Sequence, residues 1–262
     1  TYQELLEVVE TLTENNITPF TLANKTKWTG SMYYMYLVDR IGGPEALQKA
    51  LDRTGAFNDE PFIKAGEKIQ ELVDMGAFPK GVNGMDEDSG QARAMLYADK
   101  AAMYLMGSWA YGTIKKENEE ILDKLGFFNF PEISEGKGDP TNLVGTPGDN
   151  YYSITQKCEE KEAAIKFLKY ISDPKMGEEL LKVGNLPPFT GIGDKIDNPV
   201  LKEIYNMVQE ANHIQMWYDQ MLPLELAQVH LNTTQALFGN RLTPEEAADE
   251  MEEAAQKYFE KN

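Results

Sequence analysis

A predicted strand that runs directly into a helix start constrains the fold of this chain more than any other stretch. Residues 100–113 read KAAMYLMGSWAYGT, and the apolar segment 101–106 predicts a buried strand. Gly107 removes the side chain where the backbone has to turn, and Ser108 belongs to the residue types that begin helices. The stretch therefore predicts a strand-to-helix corner, as found in open α/β folds.

Trp109 stands at this corner. Open α/β folds bind small molecules just outside the carboxyl ends of their strands. An exposed indole there offers a broad apolar plate and one N–H donor, which suits the flat C–H face of a sugar ring. A tryptophan that fills a gap in the core would have the same spacing, so the local pattern leaves both interpretations open.

The bulk properties favour a helix-rich α/β protein. The chain has 262 residues, enough for one large domain or two smaller lobes, and its long runs of Glu, Lys, Ala and Leu favour helices. Its formal net charge of −18 is spread over the whole length, which argues against nucleic acids and anionic membranes as partners. No apolar run reaches the ~18 residues that would predict a transmembrane helix.

The first residues predict a helix start. Thr1 and Glu4 have the spacing of a capping box, and apolar residues follow at helical intervals. The sequence shows neither an initiator Met nor a signal peptide ahead of this helix. We therefore expect a fragment whose targeting segment lies upstream.

The same patterns predict the remaining elements. Helices are expected at residues 2–14, 31–41, 44–53, 61–75, 91–98, 114–125, 159–171 and 175–183, and from 199 onwards with a clean start at Thr243. Strands are expected at residues 17–23, 101–106, 126–130 and 143–154. The stretch 132–140 is rich in Gly, Asp and Ser and is the candidate connector between two lobes.

The sequence carries none of the common catalytic or metal-binding motifs. Cys158 is the only cysteine, and His213 and His230 are the only histidines, too few for a metal site built on these residue types. The acidic stretch 86–90 lacks the spacing of a calcium loop, so we interpret it as a solvated helix cap. Nucleotide-binding glycine loops and serine-nucleophile elbows are also missing. The sequence thus predicts no metal and no cofactor.

Aromatic side chains recur at the ends of predicted elements, next to short polar groups. Four clusters have this form: Trp28; Trp109; Asp149 and Asn150 with Tyr151 and Tyr152; and Trp217 with Tyr218 and Asp219. The first three follow predicted strands, and the last ends a predicted helix ahead of Pro223. Apolar plates combined with hydrogen-bonding carboxylates and amides are the lining that a polyhydroxylated ligand needs. Together the clusters predict one binding cleft.

The order of these pieces resembles a known family. Residues 1–23, 100–110, 145–174 and 235–251 are similar to extracellular solute-binding proteins of bacterial ABC importers, in the carbohydrate-binding, maltose-binding-protein-like group. The GSW element and the Gly-rich strand before EAAIKFLKYISD are the more specific parts of this resemblance, while the helix-rich ends are generic.

The resemblance implies a periplasmic-binding-protein-like (type II) α/β fold of two lobes, one of them incomplete here, with a sugar held between them. Residues 1–138 and 187–262 would form the second lobe, and residues 139–186 would be the part of the first lobe to which the chain returns. The family further implies a protein that is not an enzyme and that works with the permease subunits of an ABC transporter. Its location would be the periplasm or, with a lipid anchor, the extracellular face of the cytoplasmic membrane.

The resemblance also assigns roles to the clustered residues. Trp109 matches the family's stacking aromatic, and Trp28 lies where the family often contacts its ligand. Asp149 and Asn150 fall at the Gly-rich turn, where the family offers groups to sugar hydroxyls. Trp217, Tyr218 and Asp219 sit in a variable stretch and complete the set of expected ligand-binding residues. The turn GTPGDN departs from the family in lacking a bulky aromatic, which leaves the type and length of the sugar open.

The sequence therefore predicts the substrate-binding component of an ABC transporter, which captures a sugar or oligosaccharide. A carbohydrate-active enzyme, either a glycosidase or a lyase, would use a carboxylate pair in the same cleft and is the alternative. In a third interpretation the chain is a helical interaction scaffold whose tryptophans are core residues. An unpaired sheet edge around residues 143–154 would also let the fragment form an oligomer.

Overall fold

A computed structural model of the chain describes residues 1–145 and 151–261. The chain divides into two compact units. Unit 1 comprises Thr1–Met106, Phe127–Val144 and Asn212–Asn262, and unit 2 comprises Gly107–Gly126 and Gly145–Ala211. These bounds differ from the lobes that the resemblance implies, because residues 107–126 and 187–211 pack with residues 145–186. The assignment of lobes stays a prediction.

Helices make up most of both units. In chain order they are α1 (Tyr2–Glu14), α2 (Trp28–Gly42), α3 (Glu45–Leu51), α4 (Glu60–Asp74), α5 (Gln91–Tyr97), α6 (Trp109–Glu117), α7 (Lys161–Ile171), α8 (Pro174–Lys182), α9 (Pro199–Glu210), α10 (Tyr218–Met221), α11 (Leu224–Phe238) and α12 (Pro244–Phe259). Short 3₁₀ helices lie at Val82–Gly84, Glu119–Lys124 and Ile192–Lys195. In the part of the chain that the structure describes, no helix is long and apolar enough to span a bilayer.

Two pairs of short parallel strands belong to unit 1. Strand β1 (Thr18–Phe20) pairs with β2 (Ala101–Met103), with Thr18 opposite Ala101. Strand β3 (Leu143–Val144) pairs with β4 (Ile214–Gln215), with Leu143 opposite Ile214. The predicted strands at 17–23 and 101–106 are thus confirmed in type, although they are shorter than expected.

Three sequence predictions need correction. Residues 126–130 form no strand, because Phe130 instead stacks on Tyr36 at 5.0 Å and its carbonyl accepts from a buried arginine. The predicted helix 114–125 is broken at Asn118, whose φ of −157° separates α6 from a 3₁₀ helix. Of the predicted strand 143–154, only Leu143–Val144 is a strand, 151–154 is irregular, and 146–150 lies outside the described residues.

Local capping explains where several helices begin. The capping box predicted at Thr1 is confirmed, and a second one starts α12, where Thr243 accepts from the Glu246 N–H at 3.1 Å. Asp173 and Asn198 cap α8 and α9 with their side chains. Each of these two is followed by proline, whose missing N–H costs nothing in the first turn.

Helix α2 is the centre of unit 1. All its residues from Thr29 to Arg40 are buried, and it packs against α4 and α11. The Tyr33 ring meets Phe20, Phe78 and Phe238 edge-on at centroid distances of 5.3–6.0 Å. Such pairs stabilise a core beyond the apolar area that they bury. Tyr33, Tyr34 and Tyr36 of α2 are therefore core residues.

The segment 127–144 is fixed on α2 by a buried arginine. Arg40 is fully buried and pairs with Asp39 at 2.5 Å. Its guanidinium donates to the carbonyls of Phe130 and Asn142 at 2.9 Å each, and to that of Pro140 at 3.2 Å. A buried charge is tolerated only when it is paired and hydrogen-bonded, and this one meets both conditions.

Unit 2 has a smaller core. Ile192, Ile196 and Leu201 are its buried centre, with partly buried residues such as Phe189 and Tyr205 packed around them. No residue of α7 is buried. Its apolar side chains Ile165, Phe167 and Tyr170 remain 45–63% exposed.

Candidate functional site

Trp28 is held at the first turn of α2 by a cap that comes from outside the helix. Lys27 occupies the N-cap position but makes no side-chain cap bond. Instead the buried Asn24 accepts from the Gly30 N–H at 3.0 Å, and its amide group donates to Asn83 at 2.8 Å. A side chain at Gly30 would meet the Asn24 oxygen at 2.5 Å, so only glycine leaves room for this cap.

The turn that precedes Trp28 is tied to α11 and to a neighbouring loop. The Gln235 amide donates to the Asn24 carbonyl at 2.7 Å, and Lys27 Nζ donates to Asn232 Oδ1 at 2.6 Å. Lys25 forms an ion pair with Asp86 at 2.8 Å. The backbone immediately before the half-buried Trp28 is therefore held in place by contacts with α11 and with the loop that carries Asp86.

The corner at Trp109 is built differently. Ser108 is the N-cap of α6, as predicted, but its side chain makes no cap bond. The indole of Trp109 folds back over Gly107, where an added Cβ would lie 2.1 Å from Cζ3. A side chain at position 107 would therefore displace this ring.

Trp109 itself is 38% exposed and belongs to neither hydrophobic core cluster described above. The interpretation of Trp109 as a core filler is therefore not supported. An exposed indole on a tightly packed turn is a surface on which a flat apolar face can stack.

The cluster at residues 217–219 differs from its prediction. These residues begin α10 instead of ending a helix, with Trp217 at the N-cap. Trp217 is half-buried against the unit 1 core, Asp219 is partly exposed, and Tyr218 is only 3% exposed within that core. Tyr218 lines a cavity of about 10 Å³, room for one water molecule, together with Tyr34 and His230. Its ring thus faces the interior, which corrects the expectation of a ligand contact.

The structure describes only part of the predicted site. Trp28 and Trp217 belong to unit 1, and Trp109 belongs to unit 2. Asp149 and Asn150 lie outside the described residues. A common cleft formed by all four clusters remains a prediction.

One buried carboxylate was not predicted from the sequence. Glu87 lies in the acidic stretch interpreted as a solvated cap, yet it is 4% exposed and accepts from Arg93 at 2.7 Å and from the Tyr104 hydroxyl. Burial raises the pKa of Glu87, although the two hydrogen bonds and the charge of Arg93 oppose that shift. The only sequence signal is Arg93, which stands within α5 on a helix that otherwise lacks charge.

His230 is a core residue in the part of the chain that the structure describes. His230 is buried, and its Nε2 lies 2.6 Å from the hydroxyl of Ser31. Burial lowers the pKa of His230 to about 3, so the ring is neutral at physiological pH and acts as a core hydrogen-bonding group. Among residues 1–145 and 151–261, no group of three or more His, Cys, Asp or Glu side chains could hold a metal ion.

Comparison with known proteins identifies the family. The model of the bacterial extracellular solute-binding protein family matches residues 1–178. The chain belongs to this family. It is 31% identical over 189 residues to an uncharacterised ABC transporter extracellular-binding protein of Pyrococcus horikoshii, covering 72% of this chain and 40% of that protein. It is 28% identical over 196 residues to the multiple sugar-binding protein of Streptococcus mutans, covering 71% and 44%. The chain thus spans less than half the length of these two relatives.

Solved structures agree with the family. A chitin oligosaccharide binding protein superposes with a TM-score of 0.89 at 25% identity, covering 98% of this chain and 64% of that one. A structure reported in work on xylan utilisation by the thermophilic bacterium Caldanaerobius polysaccharolyticus gives a TM-score of 0.84 at 28% identity, covering 97% and 65%. These likenesses confirm the predicted helix-rich α/β fold of the periplasmic-binding-protein type.

Proposed function

We propose that the protein is the substrate-binding component of an ABC importer and that it captures a sugar or oligosaccharide. The observation that carries this proposal is the exposed indole of Trp109, which packs over Gly107 at the start of α6. Family membership and the name of the Streptococcus relative support it.

The proposed mechanism is recognition. The apolar plate of Trp109 stacks on the C–H face of a sugar ring, and the indole of Trp28 supplies a second plate. Asp149, Asn150 and Asp219 accept hydrogen bonds from sugar hydroxyls. The loaded protein then delivers its sugar to the permease subunits, either from the periplasm or from the extracellular face of the membrane, where a lipid anchor would hold it.

The buried carboxylates of unit 1 do not favour the glycosidase or lyase alternative. Asp39, Glu87 and Glu252 each pair with an arginine, which commits them to structural contacts. Turnover tests the alternative directly. We expect the sugar recovered after prolonged incubation to be intact by chromatography, and its cleavage would show catalysis.

A thermal-shift series tests sugar binding. The natural protein that contains this chain is heated with xylotriose, triacetylchitotriose, maltotriose and simple hexoses. A ligand at a hundredfold excess over its Kd stabilises the folded state by about 2.7 kcal/mol, which raises the Tm measurably. We expect one sugar class to produce this shift.

Two variants assign the shift to a residue. Trp109→Ala should abolish it while the sugar-free protein stays folded, because the ring belongs to neither hydrophobic core cluster described above. Tyr170→Ala is the matched control, since it removes an aromatic side chain that is 63% exposed on α7, and it should keep the shift. The absence of a Tm shift with any sugar would contradict the proposal. An equal loss of the shift in both variants would show that Trp109 has no specific role in sugar binding.

A further inference from the structure

The backbone takes a strained path immediately before Trp28. Lys27 has φ +68° and ψ −40°, and the Trp28 N–H donates to the Thr26 carbonyl at 2.8 Å. A hydrogen bond across one residue of positive φ and negative ψ defines the rare and strained form of the γ-turn. Side chains with a Cβ avoid this region, which glycine adopts far more readily.

The surroundings of Lys27 hold it in this conformation. Its N–H donates to the Asn24 carbonyl at 3.2 Å, and its own carbonyl accepts the Ser31 N–H at 3.1 Å, the first bond of α2. Its ammonium group reaches Asn232 on α11 at 2.6 Å. Strain of this kind persists only where the neighbouring structure determines the conformation, and it concentrates at functional sites.

The strained turn sets the direction in which the next side chain leaves the backbone. Trp28 is the first helical residue, so a change of φ at Lys27 would rotate its Cα–Cβ bond relative to α2. A glycine at this position would allow the turn but would also allow other paths. The lysine adds a side-chain bond to α11, which favours the observed path over those alternatives.

We propose that Lys27 is a positioning residue: its γ-turn, locked by the bond to Asn232, presets the indole of Trp28 for stacking on the sugar. This inference rests on the proposed function, since it assigns to Trp28 a ligand that the family suggests. It concerns preorganisation, which strengthens binding by removing the cost of ordering a side chain when the ligand arrives.

Three variants separate the backbone from the side chain. Lys27→Ala and Asn232→Ala each remove the bond to α11 but leave a Cβ at position 27. Lys27→Gly removes the same bond and also relieves the strain. Relative to Lys27→Ala, we expect Lys27→Gly to raise the Tm and yet to bind xylotriose or triacetylchitotriose roughly three- to tenfold more weakly, the cost of ordering one side chain. A purely structural role would move stability and affinity in the same direction, and that result would overturn the proposal.

A second measurement needs no sugar. A ¹⁵N-indole NMR spectrum of the natural protein that contains this chain shows one signal for each tryptophan, and Trp28→Phe, Trp109→Phe and Trp217→Phe assign the signals of these three residues. In Lys27→Gly this signal should lose order on the nanosecond timescale, while those of Trp109 and Trp217 keep theirs. Unchanged order at Trp28 would overturn the positioning role. If the Trp28 indole loses order in Lys27→Gly but the wild-type protein binds no sugar, the proposed function is wrong, and so is the role of Lys27 in positioning Trp28 for a sugar.

Discussion

Helices α2 and α7 are both rich in apolar and aromatic residues, yet the fold uses them in opposite ways. In α2 every residue from Thr29 to Arg40 is buried, including a charged pair. In α7 no residue is buried, and Phe167 is 56% exposed. Apolar content alone therefore does not decide burial, because a helix is buried only as far as other elements pack on it.

Polar groups show the same contrast. Polar side chains near the two ends of α2 are buried and form hydrogen bonds with residues distant in sequence. The Ser31 hydroxyl bonds to His230, and Arg40 donates to the carbonyls of segment 127–144. The lysines and glutamates of α7 are exposed to water. Mutations on α2 should therefore have large effects on stability, and mutations on α7 small ones.

The largest effect is expected from Arg40→Met. Removing one member of a buried ion pair leaves Asp39 uncompensated, which costs about 3–5 kcal/mol. Hydrogen exchange measured on peptides of α2 and α4 should show this loss across unit 1. Lys166→Met on α7 is the matched control, since it removes an exposed cation and should change stability by less than about 0.5 kcal/mol. Equal losses of stability in the two variants would contradict the expected difference between α2 and α7.

A pH-dependent effect is expected where His230 meets α2. Its pKa is lowered to about 3 by burial, below the ordinary value of 6.5, so the unfolded chain binds a proton before the folded one does. Stability from this group is complete above pH 6.5 and falls as the pH drops towards 3, by up to about 1.4 kcal/mol per pH unit.

The variant His230→Gln isolates this contribution, because glutamine keeps a partner for Ser31 but does not titrate. Urea titrations at pH 7 and pH 4 should show a smaller loss of stability on acidification in the variant than in the wild-type protein. The same acid sensitivity in both proteins would mean that His230 is charged, or exposed to water, in the folded state.

The sequence predicted what neighbouring residues determine. The capping box at Thr1 and the helix start at Thr243 were predicted from residues a few positions apart, and both are present. The helix start at Ser108 and Trp109 is equally local and is present, but β2 ends at Met103, so the strand does not run directly into this helix as predicted. The family and the helix-rich α/β fold were also correctly predicted, since such local signals occur in the same order along the chain.

Interactions between distant residues explain what the sequence missed. Residues 126–130 have the composition of a strand, but Arg40 takes the Phe130 carbonyl that a strand would need for pairing. Helix α2 begins at Trp28, three residues before the predicted start at 31, because Asn24 caps it from outside. Tyr218 was expected to contact the ligand, but α10 packs against α11 and the Tyr218 ring is only 3% exposed.

The smallest effect is expected from Phe167→Ala on α7, and it is the sharpest test of the comparison. A buried phenylalanine truncated to alanine costs about 3–5 kcal/mol, but this one is 56% exposed and leaves no cavity. We expect a change of less than about 0.5 kcal/mol in hydrogen exchange of α7 and α8. Leu37→Ala at a fully buried position of α2 is the counterpart and should cost about 2–5 kcal/mol. A large loss from Phe167→Ala would mean that the apolar face of α7 is covered in the natural protein, and the two helices would then differ only in what covers them.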